Sequence, residues 1–164
     1  MNETKGGFIF SRLHKSAYAA AGLAAVSGLI SLYWACGGTI GIATVGGPIE
    51  ALAHDSSLTA RLLALSTALI KFAGAAFALS FVQKWGRRFS SKLLITVAVI
   101  AGSILLIYGL ANVVVGSLVL LGFIQAEGAN IYALKWHVFF WDAYFVVWGG
   151  SLLLLSNLVR KNSQ

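Results

Sequence analysis

The sequence has few charged residues, since Asp, Glu, Lys and Arg together make up 10% of its 164 residues. Hydrophobic residues make up 59%, and the mean hydropathy is +0.84. These values lie far outside the range of ordinary soluble domains, so they exclude that class and indicate an integral membrane protein. Because one transmembrane helix needs roughly 20 apolar residues, the chain has room for about four helices in one all-α bundle.

Cysteine is almost absent, because Cys36 is the only one in the chain. A single cysteine excludes an intrachain disulfide, a CxxC redox centre and a cysteine-based metal site within one subunit. Glu50, His54 and Asp55 come nearest to a cluster of metal ligands. Their spacing, without a second histidine cluster, favours a solvated loop over a metal site. The sequence therefore predicts no metal and no cofactor.

Acidic residues are also scarce, with five Asp and Glu against twelve Lys and Arg, which gives a net charge of +7. The basic residues cluster at the ends of the apolar stretches and form no face interleaved with aromatic residues, so we predict no nucleic-acid partner. By the positive-inside rule they predict a multi-pass protein of the cell's inner (cytoplasmic) membrane, with both termini cytoplasmic and loops 39–59 and 125–133 outside. The basic residues predicted inside are Lys5, Arg12, Lys15, Lys84, Arg87, Arg88, Lys92, Arg160 and Lys161.

The first apolar run lacks a signal-peptide cleavage pattern. The run from Ser16 to Cys36 is too long for a signal peptide and ends without small residues at the usual spacing. The bulky Trp34 also argues against lipoprotein cleavage before Cys36. We therefore predict a single domain, 1–164, with transmembrane helices at about 16–36, 60–82, 93–122 and 136–158. Loop 39–59 is interpreted as irregular, with a short interfacial helix as the alternative.

Small residues recur on one side of three predicted helices. Small side chains let neighbouring backbones approach, so each set predicts a helix contact. In the second predicted helix they surround Lys71, while large apolar residues on the opposite arc are expected to face lipid. The sets are Ala20, Ala24, Gly28, Ser31 and Ala35 in the first helix, Ala64, Thr67, Ala68, Gly74, Ala75 and Ala78 in the second, and Gly102, Gly109 and Gly116 in the third.

Lys71 lies at the centre of the second predicted helix, and Asp142 lies inside the fourth. Ionisable groups at bilayer depth cost roughly 2.5 to 3.5 kcal/mol on insertion scales, so they usually face the protein interior and have a partner. Because Asp142 is the only acidic residue at comparable depth, we predict an interhelical charged pair between the two. The alternative is a lysine that reaches the outer interface alone while the carboxylate is hydrated near the surface.

A polar and aromatic pocket is predicted near this pair, open toward the external face. Trp34, Tyr108 and Asn112 come to similar heights in the outer half of the bundle. Trp141 is the fourth candidate residue of this pocket, and it belongs, with His137, to an aromatic stripe that starts at the membrane interface. We interpret the stripe as an interfacial and lipid-facing band, with a binding surface as the alternative, and His137 as an interfacial residue rather than a proton carrier.

Short motifs are spread along nearly the whole chain: Tyr33-Trp34 through Gly37-Gly38 and Gly41, Lys71, Trp85-Gly86-Arg87-Arg88, Tyr108-Gly109, and Trp141-Asp142-x-x-Phe145-x-x-Trp148-Gly149. Together they resemble a family of small bacterial four-helix membrane proteins that is catalogued as a domain of unknown function. Members often carry a histidine where this chain has Ser31, and a proline where it has Ala143. The resemblance implies the four-helix architecture and draws attention to Lys71 and Asp142, but it implies no established activity.

Three classes of function fit these features. We expect an accessory, immunity or assembly subunit of a membrane complex, in which the charged pair fixes helix register. The alternative is a small proton-coupled transporter or exporter component that uses Lys71 and Asp142 as a switch and works as a dimer. A membrane enzyme acting on a lipid or quinone would need a nucleophile or metal constellation, and none is convincing. The expected partners are the lipid bilayer and either a second copy or another membrane protein.

Overall fold

All the regular structure is helical in the part of the chain that the computed structural model describes, residues 3–55 and 57–162. The α-helices are α1 (Glu3–Ala35), α2 (Gly47–Asp55), α3 (Leu58–Ser80), α4 (Ser91–Leu120), α5 (Ile131–Trp136) and α6 (Asp142–Asn162). Short 3₁₀ turns at Ile42–Thr44 and Lys84–Arg88 lie in the connections before α2 and α4. A π-helical segment, His137–Trp141, joins α5 to α6.

Four regions are long and apolar enough to cross a membrane: Ser11–Ala35, Leu58–Ser80, Ser91–Leu120 and Ile131–Lys161. This confirms the predicted class, an all-α membrane protein with four transmembrane helices in one bundle. On one side of the bundle, Leu13 and Ala17 of α1 pack against Leu155 and Leu158 of α6. We call that side of the bundle the terminal end and the opposite side, which carries the connections 36–57 and 121–130, the loop end.

Side-chain caps set where three of the helices begin. The hydroxyl oxygens of Ser57 and Ser90 accept hydrogen bonds of 3.2 Å from the backbone N–H groups three residues later, and the Asn130 carbonyl oxygen does the same. Such caps satisfy backbone donors that the first helical turn leaves free. The helices therefore begin at the residue after each cap, before the predicted starts at 60, 93 and 136.

Glycines of α4 make a close contact with α6, as their seven-residue spacing predicts. All three are buried: Gly102, Gly109 and Gly116. A Cβ atom on Gly102 would lie 3.0 Å from the carbonyl oxygen of Gly149, and one on Gly109 would lie 2.6 Å from the carbonyl oxygen of Asp142. A larger side chain at Gly102 or Gly109 would separate the two backbones, so these two glycines bring α4 and α6 together, whereas Gly116 packs against Val138 and Leu134, which precede α6.

The core extends from the middle of the bundle toward the terminal end, where α1 packs against α3 and α6. Ala20 and Ala24 of α1 and Ala78 of α3 are fully buried, and Trp148 and Leu152 of α6 complete the same cluster. A second cluster closer to the termini contains Leu13, Ala17, Leu155 and Leu158. In this half of the bundle the small residues of α1 and α3 make the helix contact that their spacing predicts.

Candidate functional site: a cavity between α1 and α3

A cavity of about 340 Å³ lies toward the loop end, between α1, α3 and the connection that joins them. Its lining is mostly apolar. Phe145 of α6 contributes to one wall, and α2 contributes Ile49 and Ala53. The other lining residues are Ser31 and Trp34 of α1, Gly37, Gly38 and Ile42 of the connection, and Ala60, Arg61, Leu63, Ala64, Thr67 and Lys71 of α3.

Small side chains on α3 leave the room that this cavity occupies. Ala60, Ala64, Thr67 and Lys71 follow one another at three- and four-residue spacing, so they share one face of the helix. Ala68, on the same side, is fully buried in the bundle, but Ala64 is half-buried and Thr67 is exposed. The prediction that this whole arc contacts a neighbouring helix is therefore wrong toward the loop end, where the arc lines the cavity.

The amine of Lys71 is bound by serines of α1. Its Nζ donates a 2.8 Å hydrogen bond to the Ser31 hydroxyl and a 3.5 Å hydrogen bond to the Ser27 carbonyl oxygen. Ser27 and Ser31 are one helical turn apart and both are buried. No described carboxylate lies within 4.0 Å of this amine. Lys71 therefore has neutral partners only, and its charge has no counter-ion among the residues that the structure places.

Arg61 is the second cation of the cavity. It lies in the first turn of α3, where its side chain is exposed and its guanidinium lies beside Gly37. Ten residues separate it from Lys71, which corresponds to about 15 Å along the helix axis. The cavity therefore has one cation at its mouth, toward the loop end, and another at its inner end near the middle of the bundle.

The predicted pair between Lys71 and Asp142 is not formed in the structure. Asp142 is 3% exposed, and its Oδ2 lies 3.1 Å from Nδ1 of His137. The two residues contact different helices. Lys71 hydrogen-bonds α1, whereas the backbone of Asp142 lies against Gly109 of α4. Each of the two ionisable residues therefore has a partner on a different element from the one predicted.

The π-helical segment brings His137 and Asp142 together. In an α-helix, residues five apart lie about 140° from each other around the axis, which is why the sequence places these two on different stripes. Here the Asp142 N–H donates to the His137 carbonyl, five residues back, so the two side chains lie above one another on the same side. Neither proline nor glycine occurs in this segment, so the sequence gives no local indication of the change.

The hydrogen bonds of His137 fix the proton content of this pair. Its Nε2 lies 2.8 Å from the carbonyl oxygen of Val45, which can only accept, so Nε2 carries a proton. The contact between Nδ1 and Asp142 then needs a second proton, carried either by the ring or by the carboxyl group. In both cases the pair is electrically neutral, which suits a buried site.

Trp141 links the same segment to the connection before α2 and to α1. Trp141 Nε1 donates a 3.1 Å hydrogen bond to the Thr44 hydroxyl, which in turn donates to the Gly41 carbonyl. The ring of Trp141 also packs against that of Trp34, with centroids 5.8 Å apart. Since Trp34 lines the cavity, these contacts hold the cavity wall against α6 and its preceding turn.

The predicted pocket is only partly reproduced. Trp34 and Lys71 line the cavity, and Trp141 touches it through Trp34. Tyr108 and Asn112 do not line it: Asn112 donates to the Tyr108 carbonyl within α4, and the Tyr108 ring is exposed beside Phe145. Tyr108 therefore approaches the cavity only through Phe145.

The sequence does not identify the residues that hydrogen-bond the two ionisable groups. Ser31 has the spacing of a small contact residue, and a serine among alanines and glycines is not recognisable as the acceptor for a lysine on another helix. The one indication for this contact is that Lys71 and Ser31 both lie in small-residue stripes. For His137, the one indication is its position five residues before Asp142.

Glu50, His54 and Asp55, which the sequence offers as the nearest approach to a set of metal ligands, lie in α2. Glu50 Oε1 and His54 Nε2 lie 4.0 Å apart, and the side chain of Asp55 lies outside the described residues. Within the described part of the chain, no group of three or more His, Cys, Asp and Glu side chains is arranged to hold a metal ion.

Comparisons with known proteins give one match. Searches of curated proteins and of solved structures found no significant similarity. A family model matches residues 23–152, which include the cavity, Lys71 and Asp142. This confirms the resemblance to a family of unknown function. The chain belongs to the family described as Protein of unknown function (DUF3995).

Proposed function

We propose that the protein is an accessory membrane protein that binds a small apolar or amphiphilic molecule in the cavity between α1 and α3. The observation that carries this proposal is the cavity itself, which measures about 340 Å³, is mostly apolar and has the Lys71 amine in its wall. Ligand pockets typically measure about 300 to 1,000 Å³ and combine apolar walls with a few well-placed polar groups. The cavity meets both criteria.

The transport alternative has less support. It depended on a Lys71–Asp142 pair acting as a switch, and these side chains hydrogen-bond Ser31 and His137 instead. A switch built from them would first require both to exchange partners. Ligand binding requires no such rearrangement, so we favour it.

Saturable binding to the protein in lipid nanodiscs tests the proposal. Decanol and decanoate serve as neutral and anionic probes, and calorimetry gives their affinity and stoichiometry. We expect at least one of them to bind with one molecule per chain. Ala64→Trp, which fills the cavity, should abolish that binding. Ala76→Trp on the exposed face of α3 is the matched control and should leave it unchanged. Absence of saturable binding by both probes would overturn the proposal.

The orientation in the membrane is a separate proposal. We propose that the terminal end is cytoplasmic, because the basic residues at the ends of the spans lie mostly there. The cavity would then open toward the external side. Reporter fusions after Ser90 and after Gly128 test this orientation. A reporter that works only in the cytoplasm should be active when fused after Ser90, and a reporter that works only outside should be active when fused after Gly128. The reverse result would overturn the orientation without affecting the cavity.

A further inference from the structure

The charge of the cavity is unbalanced. Lys71 and Arg61 are both cationic, and the lining residues that the structure describes include no carboxylate. Taking a charge out of water is unfavourable unless an opposite charge and hydrogen bonds compensate for it. The cavity therefore offers an anion a stronger interaction at its inner end, beside Lys71, than a neutral molecule would find there.

Hydrogen-bond donors at the inner end are also in excess. An ammonium group has three N–H donors, and Ser31 and Ser27 accept two of those of Lys71. The third is free to point into the cavity. The Ser31 hydroxyl accepts from Lys71, so its own O–H remains available as a second donor. Thr67 does not compete, because its hydroxyl already donates to the Ala64 carbonyl.

We infer that the ligand of the cavity is an amphiphile with a single carboxylate head group, bound head first at Lys71 and Ser31. This inference rests on the proposed function. Two donors match the two oxygens of a carboxylate, and one positive charge matches its one negative charge. A phosphate monoester carries nearly two negative charges and three acceptor oxygens, which exceeds what Lys71 and Ser31 supply.

The apolar tail then follows the cavity from Lys71 toward the loop end. The Trp34 ring and Ala64 supply apolar wall along this path, and the distance from Lys71 to Arg61 allows about 15 Å for the molecule. Ile49 and Leu63 line the cavity and are both exposed, so an end of the tail can emerge beside them. Arg61 is exposed and lies about 15 Å from Lys71 along the helix, so the carboxylate at the inner end interacts with Lys71.

A head-group series on the unmodified protein tests this inference. Decanoate, decanol, decylamine and decyl phosphate share one tail, and their affinities are measured in zwitterionic nanodiscs, with empty nanodiscs as the partition control. We expect decanoate to bind about tenfold or more tightly than decanol. The carboxylate makes a hydrogen bond between two charged groups with Lys71, whereas the decanol hydroxyl is neutral. Decylamine should bind more weakly than decanol, since its charge repels that of Lys71.

Two substitutions test whether the preference for decanoate arises from Lys71 and Ser31. Lys71→Met should make decanoate and decanol bind with equal affinity, and Ser31→Ala should weaken decanoate several-fold. Lys135→Met, at an exposed lysine that does not line the cavity, is the control and should preserve the preference for decanoate. Equal binding of decanoate and decanol by the unmodified protein would overturn the inference and leave the proposed function standing. Tighter binding of decyl phosphate would overturn the carboxylate assignment, and no binding by any probe would overturn both proposals.

Discussion

Asp142 and Lys71 are ionisable residues within the membrane-spanning helices, and their surroundings differ. Asp142 is closely packed against α4 and paired with His137 in a neutral unit. Lys71 has only serine partners and lies at the wall of a cavity. Close packing and the hydrogen bond to His137 make Asp142 part of the helix contact, although its Oδ1 is buried without a hydrogen-bond partner among the described residues. A group with spare donors beside free space is a candidate for ligand binding. The two sites should therefore respond differently to substitution.

The largest expected effect is at the Asp142 site. His137→Phe removes the group that shares a proton with the carboxyl, and breaking a buried pair by removing one partner costs about 3 to 5 kcal/mol. Denaturant unfolding in detergent should show a loss of this size in the free energy of unfolding. His137→Phe combined with Asp142→Asn should lose less than the sum of the two single variants, because no unpaired carboxylate remains. A loss below about 1 kcal/mol for His137→Phe would mean that the pair does not hold the structure together.

An intermediate effect is expected in the glycine contact that supports Asp142. A Cβ atom on Gly109 would meet the Asp142 carbonyl oxygen at 2.6 Å, so Gly109→Ala should destabilise the protein by about 1 to 3 kcal/mol through overpacking. Gly22→Ala is the matched control, because a Cβ there meets nothing within 4 Å. It should leave the stability unchanged or raise it by up to about 1 kcal/mol through better helix propensity. Equal effects of the two substitutions would contradict the close α4–α6 contact.

A small effect on stability is expected at Lys71. Lys71→Met removes a charge that has no described counter-ion, and apolar replacements of buried charges are often neutral or stabilising. We expect the free energy of unfolding to fall by less than about 1 kcal/mol or to rise. The same unfolding measurement with Lys135→Met, at an exposed lysine, gives the baseline. A loss as large as that of His137→Phe would show that Lys71 is structural.

The class of the protein and the existence of close helix contacts follow from the sequence, whereas the partners of its buried groups do not. Hydropathy and spacing are local properties, so the four spans and a close helix contact at Gly102 and Gly109 could be predicted, but the sequence does not show that α6 is the helix that they meet. The partner of Lys71 depends on which helix lies against its face, and several helices present small residues. The partner of Asp142 depends on a π-helical turn, which the assumption of regular α-helical spacing does not allow.

The independence of the two sites is tested most directly by a double-mutant cycle on Lys71 and Asp142. The unfolding free energies of Lys71→Met, Asp142→Asn and the double variant are measured in the same detergent. The structure predicts additive effects, with a coupling below about 0.5 kcal/mol, because the two side chains share no partner. The cycle on His137 and Asp142 is the positive control and should give a coupling above about 1 kcal/mol. A coupling of about 1.5 kcal/mol or more between Lys71 and Asp142 would show that they do form a pair, and would contradict the independence of the two sites.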